Sequence, residues 1–221
     1  MLPSMILKAD FSRYVMLFLF GGIYADLDVK DITPMLNWFD TNRDAGFVCS
    51  LEMDSNEPWP YPMPRRNQLQ TWFFKSKARH PILRKLIATV IKNTFEAKDK
   101  KLVPDYSNDY DPASKPQMLS IMDWTGPPLM TDIVFAHMNS LNNPTVIDVD
   151  PIRWNLVDKL NGPKLEPGVG INWRTTTGIN NAIMVNDVVI YPHVPFREMP
   201  HDGDGIDHCV WHLFSGSWKP S

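Results

Sequence analysis

Residues 20–29 read Phe20-Gly-Gly-Ile-Tyr-Ala-Asp-Leu-Asp-Val29, FGGIYADLDV. Two glycines stop an apolar run, β-favouring residues follow, and two carboxylates one leucine apart close the segment. Glycine past the end of a helix accepts the left-handed turn that other residues resist. A helix therefore ends at Gly21-Gly22 and a strand begins. The preceding Pro3–Phe20 reads as that helix, with proline in its first turn. Alternate residues of a strand share a face. Ile23 to Val29 as one strand puts Tyr24, Asp26 and Asp28 on one face and turns Leu27 toward the core. Two like charges on one face repel unless something positive lies between them. A divalent cation does this, because hard cations take carboxylate oxygens. The bland alternative is a pair of solvated acids opening a turn.

Working outward, Thr33 to Phe39 reads as a helical turn and Gly46 to Met53 (GFVCSLEM) as a second strand. Glu57 to Pro64, EPWPYPMP, is irregular, since alternate prolines remove backbone donors. Leu69 to Ser76 reads as a strand. His80-Pro81 opens a helix to about Phe95, with Ile82, Leu83, Leu86, Ile87, Val90 and Ile91 at helical spacing. Lys98 to Lys101 is a solvated charge run and Val103 to Gln117 a long loop. Pro128 to Met138 is a helix and Val188 to Tyr191 a strand. Alternating strands and helices predict an α/β fold. No repeat or linker divides the 221 residues, so a single domain, 1–221, is expected.

The composition bounds the function. With 43% hydrophobic and 21% charged residues the chain is an ordinary globular sequence. A formal net charge of −3 gives no basic face for nucleic acid. No secretory signal is visible at the start. The longest uncharged apolar run, Tyr14 to Ala25, is shorter than the ~20 residues of a membrane span and reads as core. Cys49 and Cys209, the only cysteines, read as two buried thiols, with one long-range disulfide as the alternative.

The acids also fit the Asp-x-Asp-x-Thr/Val pattern of haloacid-dehalogenase enzymes, in which the first Asp is a nucleophile. That reading needs a second acidic cluster. Asp202, Asp204 and Asp207 are candidates, but no apolar strand precedes their loop, HDGDGIDH. What stands before the acids weighs more. Asp10 and Arg13 are three apart and share a helix face, which taken alone makes a surface ion pair.

The run KADFSRYVMLFLFGGIYADLDV resembles the sugar-binding region of the DXD glycosyltransferases of family 32. Their pattern is small-Asp-x-x-Arg-Tyr followed by Gly-Gly-x-Tyr-x-Asp-x-Asp. The sequence matches at Asp10, Arg13, Tyr14, Gly21, Gly22, Tyr24, Asp26 and Asp28. The segments PRRNQLQTWFFKSKARHPILRKLIATVI and TGPPLMTDIVF, and the terminal HLFSGSWK, are similar to the fungal Golgi initiating α-1,6-mannosyltransferases. The resemblance covers nearly the whole chain and is weakest from Asn143 to Ile183. It departs in one place: only nine residues precede Asp10, where the family carries a strand–helix–strand that walls the base side of the nucleotide pocket. The expectation is an N-terminally truncated GT-A-type, Rossmann-like domain without the family's membrane anchor.

The resemblance implies a metal-dependent, retaining transfer of a hexose. Mannose from GDP-mannose is the preferred donor, a glycan or glycoprotein the acceptor, and the Golgi lumen the setting. Asp28 would ligate the metal directly, Asp26 would contact ribose or sugar with a tie to the metal, and His212 would close the site. Manganese is favoured because it accepts one imidazole among oxygens. Asp10, Arg13 and Tyr24 would line the donor pocket, and Ser217 and Trp218 would approach the diphosphate. Each has a bland counterpart: His212 lies among Trp211, Leu213 and Phe214, and Tyr24 and Trp218 are ordinary core residues. Attack on the same face as departure, with the leaving phosphate taking the acceptor's proton, requires no protein base. Asp132 is the candidate nearest the reacting carbon, against a plain first-turn acid. Glu52 and Asp54 are further candidates. Trp59, Tyr61, Trp72 and Trp124 are aromatic candidates for stacking the acceptor sugar, against the ordinary reading that a chain with eight tryptophans places them in its core. A UDP-sugar donor and a non-catalytic remnant remain as alternatives.

Overall fold

A computed structural model describes residues 2–32, 45–54, 64–106, 117–142, 171–179, 182–192 and 210–215. Helix α1 spans Met5–Phe20 and leads into β1, Gly22–Ala25, and β2, Val29–Asp31. Then follow β3 (Phe47–Asp54), β4 (Asn67–Leu69), β5 (Phe73–Ser76) and α2 (Pro81–Asp99). Next come β6 (Val103–Asp105), β7 (Met118–Ser120), α3 (Ile121–Thr125) and α4 (Pro127–Asn142). The last described elements are α5 (Trp173–Thr176), β8 (Ile183–Val185), β9 (Val188–Tyr191) and β10 (Val210–His212).

The expected α/β architecture is borne out, and the mixed sheet with its helices is consistent with a GT-A-type domain. The main sheet runs β1-β5-β3-β9-β8, with β4 also on β3. The β3–β9 pair is parallel and its other pairs are antiparallel. Strands β3 and β9 are central, so both of their faces are covered: β9 is apolar throughout, and β3 is buried from Phe47 to Glu52 although Ser50 and Glu52 interrupt its apolar run. Period-two alternation divides them. Phe47, Cys49, Val188 and Ile190 face the larger core with α1, α2 and α4, through Tyr14, Leu17, Leu86, Val90, Ile133 and Val134. Val48 and Val189 face the other way, onto Trp72, Phe73 and Val210. Each such side chain taken fully out of water contributes ~1.5–3 kcal/mol before chain entropy is counted.

Helix α2 starts where Pro81 occupies the first turn and the His80 ring accepts the Ile82 N–H. Gly21 ends α1 at φ 66°, its N–H donating to Leu17 O at 2.8 Å. A Cβ there would meet Ala78 N at 2.7 Å, so the chain passes only as glycine.

Several expectations are corrected. The segment 23–29 is not one strand. It breaks after Ala25, and β2 leaves the main sheet to pair with β10. Leu27, expected in the core, is fully exposed. Asp26 opens, and Asp28 lies within, a turn closed by Val29 N–H to Asp26 O, 3.2 Å, and aspartates favour turns over ladders. Leu69 to Ser76 likewise divides at Gln70–Trp72. The stretch expected as a loop after Val103 begins with β6, which pairs with β7. Helix α1 starts at Met5, α2 runs on to Asp99 through much of the charge run, and α4 extends over Pro127–Asn142. The apolar run from Tyr14 is only half core. A helix buries one face, so Tyr14 and Leu17 go in while Met16, Leu19 and Phe20 stay out. Among the described residues no helix is long and apolar enough to cross a membrane. The helical turn expected at 33–39 lies outside the described residues, as does most of 57–64.

Candidate metal and donor site

The site forms where α1, the end of β1 and the β2–β10 ribbon meet. Helical spacing puts Asp10, Arg13 and Tyr14 on the inward side of α1, all buried. The ion pair is internal, which rules out the bland alternative of a surface pair. Arg13 Nη2 donates to Asp10 Oδ1 at 2.5 Å and Nη1 to Thr71 O at 2.7 Å. The Thr125 hydroxyl donates to Asp10 Oδ2 at 2.7 Å. Arg13 also lies 3.7 Å from Asp26 Oδ1 and 4.8 Å over the Tyr24 ring. Burial works against the guanidinium's charge, but Asp10 and Asp26 outweigh it and hold Arg13 charged. Burial pushes the Asp10 carboxyl above its usual range, and the pull of Arg13 and Thr125 does not cancel that. Asp10 therefore acts chiefly on Arg13, which in turn reaches the acidic turn.

Asp26 is fixed by its own backbone, its N–H donating to Trp72 O at 2.8 Å. The Tyr24 hydroxyl donates to Asp26 Oδ1 at 2.6 Å. Burial, first, and the neighbouring carboxylate raise the Tyr24 phenol, so it stays a donor.

Asp28 is held from the other side. The Ser215 N–H and hydroxyl donate to Asp28 Oδ2 at 3.0 and 2.8 Å, and Leu213 N–H donates to Asp28 O at 3.0 Å. His212 Nε2 lies 3.2 Å from Asp28 Oδ1. Partial burial nudges the Asp28 carboxyl upward, but the Ser215 hydrogen bonds and His212 hold it below the ordinary carboxylate range. The His212 ring stacks on Trp72, centroids 4.4 Å apart and planes 4° from parallel, with Phe214 edge-on at 4.0 Å.

Ligand atoms of Asp26, Asp28 and His212 all lie within 4.8 Å of one another. Two hard carboxylate oxygens and one imidazole can hold a divalent cation. The donor set fits the metal that the motif implies.

Other expected residues are placed differently. Asp132 sits in the second turn of α4, not the first, since the helix begins at Pro127. Arg65 grips it with two hydrogen bonds, Nε to Oδ1 at 2.7 Å and Nη2 to Oδ2 at 2.5 Å, and also reaches Asp123 at 3.1 Å. Glu52 is buried and accepts from Gln68 Nε2 at 2.8 Å, and Asp54 accepts from the Gly178 N–H at 2.7 Å. Trp72 and Trp124 do not offer an open face to an acceptor. Trp72 lies under His212, and Trp124 is buried beside Leu7 with Nε1 donating to Thr94 Oγ1. Ser217, Trp218, Trp59, Tyr61, Cys209 and the Asp202–Asp204–Asp207 cluster lie outside the described residues.

Sequence reasoning missed Ser215, Thr71 and Thr125, and of its two readings of Trp72, acceptor platform or core residue, the structure shows the core one. Ser215 alone left a trace, immediately before the Gly-Ser-Trp end, residues 216–218. Thr71 acts through a backbone carbonyl, which no side-chain pattern reveals.

Comparison with known proteins bears out the resemblance. Residues 1–45 match the family described as glycosyltransferase sugar-binding region containing DXD motif. The chain is 32% identical over 228 residues to a Saccharomyces cerevisiae protein named "Putative glycosyltransferase HOC1", covering 99% of the chain and 50% of that protein. It is 32% identical over 232 residues to the initiation-specific alpha-1,6-mannosyltransferase of Candida albicans, 99% of the chain and 55% of that protein. Its identity to the Schizosaccharomyces pombe enzyme of the same name is 27%, over 99% of the chain and 48% of that protein. The chain spans about half the length of these curated relatives. No solved structure matches it.

Proposed function

We propose that the chain carries the metal and donor-diphosphate site of a retaining glycosyltransferase. It moves mannose from GDP-mannose to a mannose-containing glycan, an α-1,6 transfer of the N-glycan type, in the Golgi lumen. One observation carries this reading: the ligand atoms of Asp26, Asp28 and His212 converge within 4.8 Å, with Arg13 3.7 Å from Asp26. The names of the relatives support mannose as the sugar.

The chemical difficulty is negative charge growing on the departing diphosphate. A divalent manganese held by Asp26, Asp28 and His212 supplies Lewis-acid stabilisation of that charge when bound. The chain's own residues prepare the place. Ser215 fixes one oxygen of Asp28 and leaves the other toward His212. Trp72 and Phe214 hold the imidazole in one orientation, so little reorganisation is needed on binding. Arg13, kept charged and pinned by Asp10 and Thr71, balances the acidic turn and orients sugar hydroxyls with Tyr24. Ser217 and Trp218, outside the described residues, keep the diphosphate role that the resemblance gives them. The acceptor hydroxyl loses its proton to the leaving phosphate as the new glycosidic bond forms on the face where the old one breaks. Asp132 is not needed as a base, and Arg65 engages both of its carboxylate oxygens.

Calorimetric titration of the protein with GDP-mannose, with and without Mn²⁺, tests the reading. Mn²⁺-dependent binding, competed better by GDP than by UDP, is expected. Binding of neither metal nor nucleotide overturns it, and stronger competition by UDP replaces the donor.

A further inference from the structure

A second convergence of ligand atoms lies away from the acidic turn. His80, His137 and Asp187 offer ligand atoms all within 4.8 Å of one another. His80 Nε2 is 3.1 Å from Asp187 Oδ2, and His137 Nε2 is 3.9 Å from Asp187 Oδ1. The strand register puts this group at the other end of the sheet. Gly22, Ser76, Phe47 and Val188 are paired in a row, whereas Ala25, which precedes the acidic turn, pairs with Phe73 at the opposite end of β5. His80 follows the Ser76 end, and Asp187 immediately precedes Val188.

We propose that His80, His137 and Asp187 form a second metal site, for a divalent ion of the zinc class, that clamps the start of α2, the α4 helix and the β8–β9 hairpin together at the end of the sheet remote from Asp26 and Asp28.

The chemistry of the donors comes first. Two imidazoles and one carboxylate, with a fourth position for water, are a zinc donor set, whereas manganese and magnesium prefer oxygens. Zinc bonds of about 2.0–2.1 Å in a tetrahedron put neighbouring ligand atoms about 3.3 Å apart. The 3.1 Å pair lies close to that value; the 3.9 Å contact is to the other oxygen of Asp187, so the three ligand atoms, all within 4.8 Å of one another, draw together by side-chain rotation when the ion binds.

The backbone prepares the site. Asn186, at φ 53°, makes the tight hairpin turn that presents Asp187. The Asp187 carbonyl accepts from Gly46 N–H at 2.7 Å and Phe47 N–H at 3.0 Å, so the residue is anchored independently of its carboxylate. Gly46 leaves the space the cluster occupies. A Cβ there would lie 2.3 Å from Asp187 Oδ2 and 2.9 Å from His80 Nε2. The two rings meet edge to face at 5.5 Å. Burial holds both imidazoles neutral, the form that binds metal. The half-exposed Asp187 side chain provides an entry path and room for water.

One contact must yield. His80 Nδ1 accepts the Ile82 N–H at 3.3 Å, so in the metal-free protein its proton is on Nε2, toward Asp187. An ion taking the Nε2 lone pair sends that proton to Nδ1 by way of solvent and opens the long capping bond. The three ligands join positions 80, 137 and 187, so the ion cross-links segments far apart in sequence and stabilises the folded state.

The test uses the full chain with Asp28→Asn, which disables the acidic turn, after treatment with chelator. Cobalt(II) is titrated and followed by its visible bands, then displaced with Zn²⁺, and melting is recorded with and without Zn²⁺. The expected result is a cobalt signal displaced by Zn²⁺ and a higher Tm with Zn²⁺. His137→Gln and Asp187→Asn should each weaken binding more than about 100-fold, beyond what a change outside the ligand set costs, while melting near the parent without metal. The two substitutions lie on different elements, so either one that folds decides the matter. Parent-like affinity and stoichiometry in the folded variants, or no cobalt signal in the parent, overturns the proposal. Neither outcome bears on GDP-mannose binding at Asp26 and Asp28.

Discussion

Trp72 lies flat against His212, the two rings 4.4 Å apart and 4° from parallel. Trp72 follows the backbone segment that receives Arg13, and its own carbonyl receives the Asp26 N–H. One tryptophan thus joins the imidazole and the acidic turn. Its ring also closes the smaller core with Val48, Phe73 and Val189.

Trp72→Ala removes the ring that stacks on His212 and fills the smaller core, while the backbone carbonyl that receives the Asp26 N–H remains. We expect a loss of about 3–5 kcal/mol of stability, the usual cost of truncating a buried aromatic residue, together with weaker Mn²⁺ binding. Trp72→Phe keeps an aromatic face and should recover much of the metal affinity. Urea unfolding and metal titration of the two variants check this.

Arg13→Ala leaves Asp10 buried without its cation. Breaking a buried pair on one side costs about 3–5 kcal/mol. The pH dependence has a defined sign. Burial raises the Asp10 carboxyl above 3.8 in the folded state, and losing Arg13 raises it further. A raised acid favours folding below its unfolded pKa and loses that contribution as pH rises through the folded value. The deficit of Arg13→Ala should therefore shrink as pH falls through that raised value, and Asp10→Asn should restore part of it at neutral pH. Unfolding curves across pH read both effects.

Leu27→Ala separates two pictures of the opening segment. A continuous strand would bury Leu27 and lose 2–5 kcal/mol on truncation, as roughly expected for a core leucine. The turn leaves it in solvent, so the change should stay within about 0.5 kcal/mol. Chemical denaturation distinguishes the two outcomes.

Much of this architecture was legible because it rests on local rules. Gly21-Gly22 ended α1, His80-Pro81 opened α2, and the apolar periods marked β3 and β9. What escaped depends on partners distant in sequence. The strand 23–29 breaks because β2 finds β10, some 180 residues away, and no alternation in FGGIYADLDV reports that. Asp10 and Arg13 spaced three apart fit a surface pair equally well. Only the packing of α1 against Thr71 and Thr125 makes the pair internal. The triad Asp26, Asp28 and His212 was readable, because each member belongs to a recurring motif. The bracing by Ser215 and Trp72 was not, since serine and tryptophan at those positions have many ordinary uses.

Cys49 should be chemically silent in the folded protein. It is buried against Val189 O, and burial raises its thiol far above the ordinary range. Thiolate is the reactive form. A Cys209→Ser variant should resist a thiol-reactive dye at pH 8 and label fully on unfolding in denaturant.

Asp28→Asn, compared with the unsubstituted chain by calorimetry with Mn²⁺ and GDP-mannose, bears most directly on the role of the acidic turn. The substitution keeps the shape of the side chain but removes its charge. Because Asp28 is held near the surface by Ser215, the fold should persist. Metal-dependent donor binding should fall by more than about 100-fold, since a ligand counts for more than the outer groups that cost 10–100-fold. Donor binding with the same Mn²⁺ dependence in both proteins would contradict the assignment of Asp28 as a metal ligand.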